Sequence, residues 1–388
     1  VSSSPSPSSS PRPSSPAATT PPASAQDAPG GGNQLLWGLA VAAIGFALWR
    51  PVSPREWLGM VDWQTMGALT GLLIITQGVE RSGVLQGTAR ALLARTGTAR
   101  QLALVLCAVA AVLAALVTND VSLFLLVPLT RELAAQARLP LARLVALEAL
   151  AVNAGSSLTP IGNPQNLYLW HKTGASFGGF MGMMAPAVGV MLLLLFVTIL
   201  ITMPASRIQV SPPTAQAPTQ PRLLLLSAVL FVGFVASLEL KVWVPALAVV
   251  VVAFALFQRQ VLMKLDWALL ATFVLMFVVV HQLVALPWMA HWMAQLPKDV
   301  AWPTYVVAIL TSQVISNVPA TLLLADGTRQ LSALAVGVNV GGYGFVLGSM
   351  ANLIALRLAR EPHGLREFHR ISLPFLVVCA VLVALLVV

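Results

Sequence analysis

Two strings of small and polar residues interrupt an otherwise apolar chain. NAGSSLTPIGNPQN at 153–166 and NVGGYGFVLGSMAN at 339–352 share an asparagine, a glycine, an aliphatic-Gly pair and a final asparagine at a constant offset of 186 residues. Upstream of each, two short apolar runs meet at a polar tip with no loop between them: Thr118-Asn119-Asp120 in one case, Ser316-Asn317-Val318 in the other. Glycine permits unusual backbone angles and proline frees a carbonyl by removing a donor, so such strings read as unwound helix. Freed carbonyls with Asn and Ser/Thr oxygens suit a small hard cation such as Na⁺. Half-helices that restart after the break present N–H groups and partial positive charge to an anion. The expected arrangement is one clamshell per half, between a hairpin tip and a broken span. Thr118, Asn119, Asn153, Gly155 and Thr159 would build the first, and Ser316, Asn317, Asn339 and Gly341 the second. Asn163, Asn166, Ser349 and Asn352 would line the exits, and Na⁺ would sit at Asn119, Asn153, Asn317 and Asn339.

Two acids stand beside these strings. Asp120 follows the first tip and Glu148 lies five residues before Asn153, whereas their counterparts Val318 and Leu334 are apolar. A carboxylate in mid-bilayer costs roughly 2.5–3.5 kcal/mol on insertion scales, so acids there line a pathway or carry a proton, and both are candidates for coupling. Glu148 can equally be a helix-end acid paired with Arg143, and His281 reads as a packing histidine. Asparagines of this kind can also be interhelical glue, worth about 0.6 kcal/mol per contact. Glue has no need to repeat at a fixed spacing in two halves.

The surrounding composition fixes the solvent. Of 388 residues 57% are apolar and 9% charged, with mean hydropathy +0.84, too little charge to clothe a water-facing globule. The expected class is an all-α polytopic membrane protein with the lipid bilayer as partner. The net charge of +9 does not indicate nucleic acid, because no Lys/Arg cluster is interleaved with aromatics. Cys107 and Cys379 sit in apolar runs and read as small hydrophobes. Residues 1–33 are almost wholly Ser, Pro, Ala, Thr and Gly and read as a disordered tail. Apolar segments then follow one another from Leu35, giving nine spans and two hairpins, about 9–11 spans in all, and two full spans in place of each hairpin would leave the parity unchanged. The loops 81–100, 131–143, 204–222, 258–266 and 357–370 hold fifteen of the 22 lysines and arginines. The positive-inside bias puts these loops and the amino terminus in the cytoplasm and the carboxyl terminus outside.

The self-similarity extends beyond the polar strings. Phe46-Ala47-Leu48-Trp49 recurs as Phe254-Ala255-Leu256-Phe257, and Val61-Asp62-Trp63 as Leu265-Asp266-Trp267. The expected organisation is a first membrane repeat over 34–203, a Pro-rich cytoplasmic linker over 204–221, and over 222–388 one connecting span followed by the second repeat. One odd span inverts the second repeat, an architecture of many secondary transporters whose sites lie where broken helices meet.

At TND (118–120), TPIGNPQN (159–166), SNVPA (316–320) and GSMAN (348–352), the chain resembles the ion transporter superfamily. That superfamily contains citrate transporter-like and arsenite permease proteins, NhaD-type antiporters and divalent anion:Na⁺ symporters. The short loops look like those of bacterial anion permeases. The resemblance implies re-entrant hairpins, alternating access, a Na⁺ or H⁺ gradient as driving force, no other cofactor, an inner-membrane location and a homodimer. The dicarboxylate carriers show Ser-Asn-Thr at both tips. An acid at one tip and Val318 at the other point away from di- or tricarboxylates, toward an inorganic oxyanion or small organic anion. The alternative is a Na⁺/H⁺ antiporter of the same architecture with Asp120 as the exchanging carboxylate. An intramembrane enzyme is disfavoured, since the chain has no HExxH and no GxSxG.

Overall fold

The computed structural model describes residues 34–388 apart from 210–218, 241, 264 and 289–299, so the 1–33 tail and half of the 204–221 linker lie outside the described residues. The rest is helical, with a lone β-bridge between Thr98 and Arg207. In the first half run α1 (Gln34–Trp49), α2 (Pro54–Gly59), α3 (Trp63–Arg81), α4 (Val84–Arg95), α5 (Ala99–Leu116), α6 (Asn119–Ala137), α7 (Leu141–Ser156), α8 (Pro164–Thr173) and α9 (Phe177–Thr202). After α10 (Pro221–Glu239) come α11 (Trp243–Gln258), α12 (Gln260–Met263), α13 (Trp267–Val284), α14 (Ala301–Ile315), α15 (Asn317–Ala325), α16 (Leu331–Val340), α17 (Met350–Ala359) and α18 (Gly364–Leu386). Five of these helices are long and apolar enough to cross a bilayer alone: α5, α9, α10, α13 and α18. The chain is an all-α polytopic membrane protein.

The repeat read from the sequence maps element onto element. Asp62 and Asp266 are both N-caps, accepting from the amides of Thr65 and Leu269 to start α3 and α13. Asn163 caps α8 and Ser349, 186 residues on, caps α17. Packing repeats with the halves exchanged: α1 lies on α13 as α11 lies on α3, while α17 packs against hairpin helix α6 as α8 packs against α15. Each half therefore covers part of the other.

The loops rich in Lys and Arg share one face. Arg131 pairs with Glu80 at 3.0 Å, Arg81 donates to Gln260 at 2.9 Å, the Gln220 amide reaches the Ser82 carbonyl at 2.8 Å and Arg143 pairs with Glu367 at 2.8 Å. On the opposite face Arg50 donates to the Ala285 carbonyl at 3.3 Å and Lys172 pairs with Asp326. Hairpin α5–α6 thus starts and ends at the basic face, and hairpin α14–α15 at the other. The break between α7 and α8, like that between α16 and α17, lies partway through the molecule.

Two glycines make the hairpin contacts possible. A Cβ on Gly155 would stand 2.0 Å from the Ala111 carbonyl oxygen of α5, and one on Gly341 would stand 2.6 Å from Cβ of Ser312 in α14. Both are therefore close-approach points between a hairpin arm and a broken span, a job only a residue without Cβ can do at that distance. Gly155→Ala is expected to lower stability by about 1–3 kcal/mol through overpacking. Gly45→Ala in α1, where nothing lies within 4 Å, should be neutral or slightly stabilising. Thermal unfolding in detergent compares the two, and equal melting temperatures would refute the contact.

Candidate functional site

The breaks are built from asparagine. Asn163 starts α8 by accepting the Asn166 amide at 2.9 Å, and Pro164 follows at the first helical position, where its missing N–H costs nothing. The Asn166 side-chain amide turns back into the break and donates to the carbonyls of Ser157 at 3.0 Å, Thr159 at 3.1 Å and Ser156 at 3.3 Å. In the second half Asn352 does the same for Gly342 at 2.8 Å. Carbonyls that unwinding would leave orphaned are thereby satisfied from within the protein.

The same asparagines join the halves. Asn153 donates to Asn352 Oδ1 at 2.8 Å, and its repeat counterpart Asn339 donates to Asn166 Oδ1 at 2.7 Å. Asn339 Oδ1 in turn accepts from Ser157 at 2.9 Å and Asn163 at 3.0 Å. These five asparagines are all buried. Of the candidates named from sequence, Asn153, Asn163, Asn166, Asn339 and Asn352 form this knot. Thr159 ties the first break to α5 through the Ala115 carbonyl at 2.7 Å, while Gly155 and Gly341 are the close-approach points described above. Glu148 lies elsewhere, fully buried in α7, bonded to Thr130 of α6 at 2.5 Å, with its other oxygen unpartnered.

The hairpin tips close on the knot. The Asn119 amide donates to the Gly162 carbonyl at 2.9 Å, and Thr118 caps α6 through the Val121 amide at 3.3 Å. At the second tip Ser316 adopts φ 72° and ψ 156°, a conformation costly for any residue but glycine, and turns Asn317 inward. A Cβ placed on Gly342 would lie 3.4 Å from Asn317 Nδ2 and 3.5 Å from Asn153 Oδ1, so the second tip also meets the break.

Next to the tips lies a cavity of about 460 Å³. Asn119, Pro164, Asn317 and Met350 line it, and these are the first residues of α6, α8, α15 and α17, so four helix N-termini converge there, two from each half. Asp120 and Ser349 complete the polar part. The opposite wall is supplied by Asp62 and Thr65 at the start of α3 and by Phe277, Val280 and His281 of α13. Asp62 is occupied as a cap, accepting the Thr65 amide at 3.1 Å and hydroxyl at 2.6 Å. Asp120 differs, because its Oδ1 is buried without a hydrogen-bond partner. The α3 and α13 wall was missed in the sequence; the recurring Asp-Trp pairs marked the internal repeat, but nothing in their spacing placed one beside the tips. His281, read as a packing residue, is exposed at the cavity.

Broken helices, hairpins and N-termini around one cavity, with polar side chains gathered at the tips, in two inverted halves, define a membrane transporter. The citrate transporter family profile matches residues 35–333, and the chain belongs to that family. It is 40% identical to the inner membrane protein YbiR of Escherichia coli over 345 residues, 89% of this chain and 93% of that one. An uncharacterized transporter of Methanocaldococcus jannaschii is 30% identical over 315 residues, 79% of this chain and 84% of its own. A silicon efflux transporter of Oryza sativa subsp. japonica is 31% identical over 150 residues, 39% of this chain and 31% of the relative. The chain is a membrane transporter of the citrate transporter and arsenite permease type.

Because Asn339 serves four partners across the knot, Asn339→Ala strands several buried polar groups at once. The expected cost is about 1–3 kcal/mol or more. Asn317→Ala should cost far less, because the side-chain hydrogen bonding of Asn317 among the described residues is a 3.4 Å contact from Ser316. Comparing their unfolding midpoints in detergent tests the assignment of Asn339 to framework and Asn317 to cavity; equal losses would contradict it.

Proposed function

We propose that the protein is a secondary active transporter that carries a small anion, an inorganic oxyanion or small organic anion, across the inner membrane together with H⁺ or Na⁺. The observation that carries this reading is the convergence of four helix N-termini on a cavity whose described lining contains no lysine or arginine. The positive ends of the helix dipoles favour negative charge there, while the absence of fixed cations from that lining suits a substrate that must leave again. The volume fits a small ligand.

Asp120 supplies the coupling. Protonated, it donates a hydrogen bond to the anion; ionised, it repels it, so anion and proton occupy the cavity together or not at all. Where Na⁺ replaces H⁺, the cation sits between Asp120 and the amide oxygens of Asn119 and Asn317, with Asn153 and Asn339 behind them. Glu148 serves as a second proton acceptor deeper in α7. A tricarboxylate fits poorly beside an ionisable acid and apolar Val318, so the family name is not carried over to the substrate.

Access alternates between faces. The cavity wall comes from the ends of α3 and α13 away from the basic loops, while near the basic face Glu80–Arg131 and the 3.3 Å bond from Gln86 to Glu132 join α3 and α4 to hairpin helix α6. By the positive-inside rule that face is cytoplasmic, which puts the amino terminus inside and the carboxyl terminus outside.

The unpartnered Asp120 Oδ1 also favours a second reading, Na⁺/H⁺ exchange with no anion moved. Proteoliposomes with imposed Na⁺ and pH gradients, screened with oxyanions and small carboxylates, separate the two. Anion-dependent uptake driven by one gradient is expected, reduced to the level of empty vesicles in Asn119→Ala and Asn317→Ala. Asp120→Asn should abolish the response to the gradient. Exchange of Na⁺ for H⁺ in the absence of any anion would defeat the anion reading.

A further inference from the structure

A second cavity, remote from the transport site, lies at the rim of the basic face, where α9 and α18 part to leave a groove of about 600 Å³. Its two ends differ in chemistry. At the rim stand Arg143, Glu367 and Arg370. Away from the rim the walls are apolar, with Leu194, Val197 and Ile201 from α9 facing Ile371, Phe375 and Val378 from α18. The spacing of these residues is that of one helix face on each side. Pro374 lies inside α18 at the groove, where it removes one helical hydrogen bond.

The rim carries an uncompensated positive charge. Arg143 donates Nε to Glu367 at 2.8 Å and Nη1 to the Thr202 carbonyl at 2.7 Å, while Arg370 reaches the other Glu367 oxygen at 3.5 Å. One carboxylate thus serves two guanidiniums. The Arg370 side chain is 73% exposed, and most of its five donors are left for another acceptor. From Arg370 to Val378 the groove follows about 12 Å of helix toward mid-membrane.

We propose that this groove binds an anionic phospholipid, with the phosphate between Arg143 and Arg370 and one acyl chain in the trench between α9 and α18. A soluble phosphate would need only the rim. The apolar trench that continues from it, open to lipid at Val197 and Val378, fits an intact lipid instead. Basic pockets between helices at a membrane boundary recognise anionic headgroups by this combination. The site also has a route to transport, since Arg143 is anchored near the start of α7, the helix whose other end is the first break. A phosphate between Arg143 and Arg370 competes with Glu367 for the Arg143 guanidinium and loosens the pair that fastens α7 to α18.

Native mass spectrometry of the purified full chain, offered phosphatidylglycerol or phosphatidylcholine of equal chain length, tests this directly. The expected result is at least severalfold greater retention of phosphatidylglycerol. Arg370→Gln, at an exposed position, should bring the two lipids to equal retention. Val197→Trp, which fills the trench, should reduce the binding of both, and each variant is checked for wild-type elution and unfolding temperature. Excess glycerol phosphate should not displace the bound lipid. Equal retention by the wild-type protein, an unchanged preference in Arg370→Gln, or displacement by glycerol phosphate would each overturn the proposal, and none of these outcomes depends on what the protein transports.

Discussion

Everything near the transport cavity depends on how two interruptions of helix can exist inside a membrane protein. Each break releases backbone carbonyls and amides with no water to take them, at a cost of several kcal/mol per group left unpaired. Here asparagine side chains take them. Asn166 alone answers three carbonyls of the first break, and Asn352 answers that of Gly342 in the second. An asparagine amide carries both donor and acceptor, so once its NH₂ has closed the break its oxygen still needs a partner. The nearest one is an asparagine of the other half.

That second requirement explains the exchange of halves. Asn153 with Asn352, and Asn339 with Asn166, are the same contact seen twice across a pseudo-two-fold axis. Each half closes its own break, but the oxygen of the closing asparagine is satisfied only by the other half. The packing of α17 on α6 and of α8 on α15 follows, because each second half-helix must reach the partner repeat to deliver its asparagine. The four N-termini at the cavity are a consequence of the same crossing, since hairpin helices and half-helices restart at one level and point the positive ends of their dipoles into a shared space.

Much of this was legible in the residues themselves. The constant offset between Asn153 and Asn339, Gly155 and Gly341, and Asn166 and Asn352 survives in three dimensions because equal spacing along equivalent helices gives equal position. The charge pattern also placed the loops correctly on one face, as the Glu80–Arg131 and Arg143–Glu367 pairs show. What could not be read was partner choice. An asparagine that bonds within its own half and one that bonds across to the other have the same neighbours in sequence. The expectation of a clamshell closed within each half therefore lacked the cross-links found here. Likewise Asp62 was visible only as one member of the repeat, and its place on the cavity with Asn119 depends on how α3 lies against the hairpin, which no local pattern encodes.

A frame that is symmetric in its asparagines makes the remaining differences between halves informative. At the position of Ser156, whose hydroxyl accepts from Asn163 at 3.2 Å, the second half has Gly342. A side chain there would crowd the Asn339 carbonyl at 3.1 Å and enter the space between Asn317 and Asn153. Opposite Asp120 stands Val318, and both line the cavity. The two asparagine pairs thus repeat where the breaks must be satisfied, while the halves differ at Ser156 and Gly342 inside the knot and at Asp120 and Val318 on the cavity. Two constraints have acted on one duplicated scaffold. Backbone hydrogen bonding requires Asn153 with Asn352 and Asn339 with Asn166, because replacing any of the four strands buried partners, whereas the cap Asn163 has Ser349 in its place. No such constraint holds the cavity lining, so chemistry that needs a single acid can reside in one half alone.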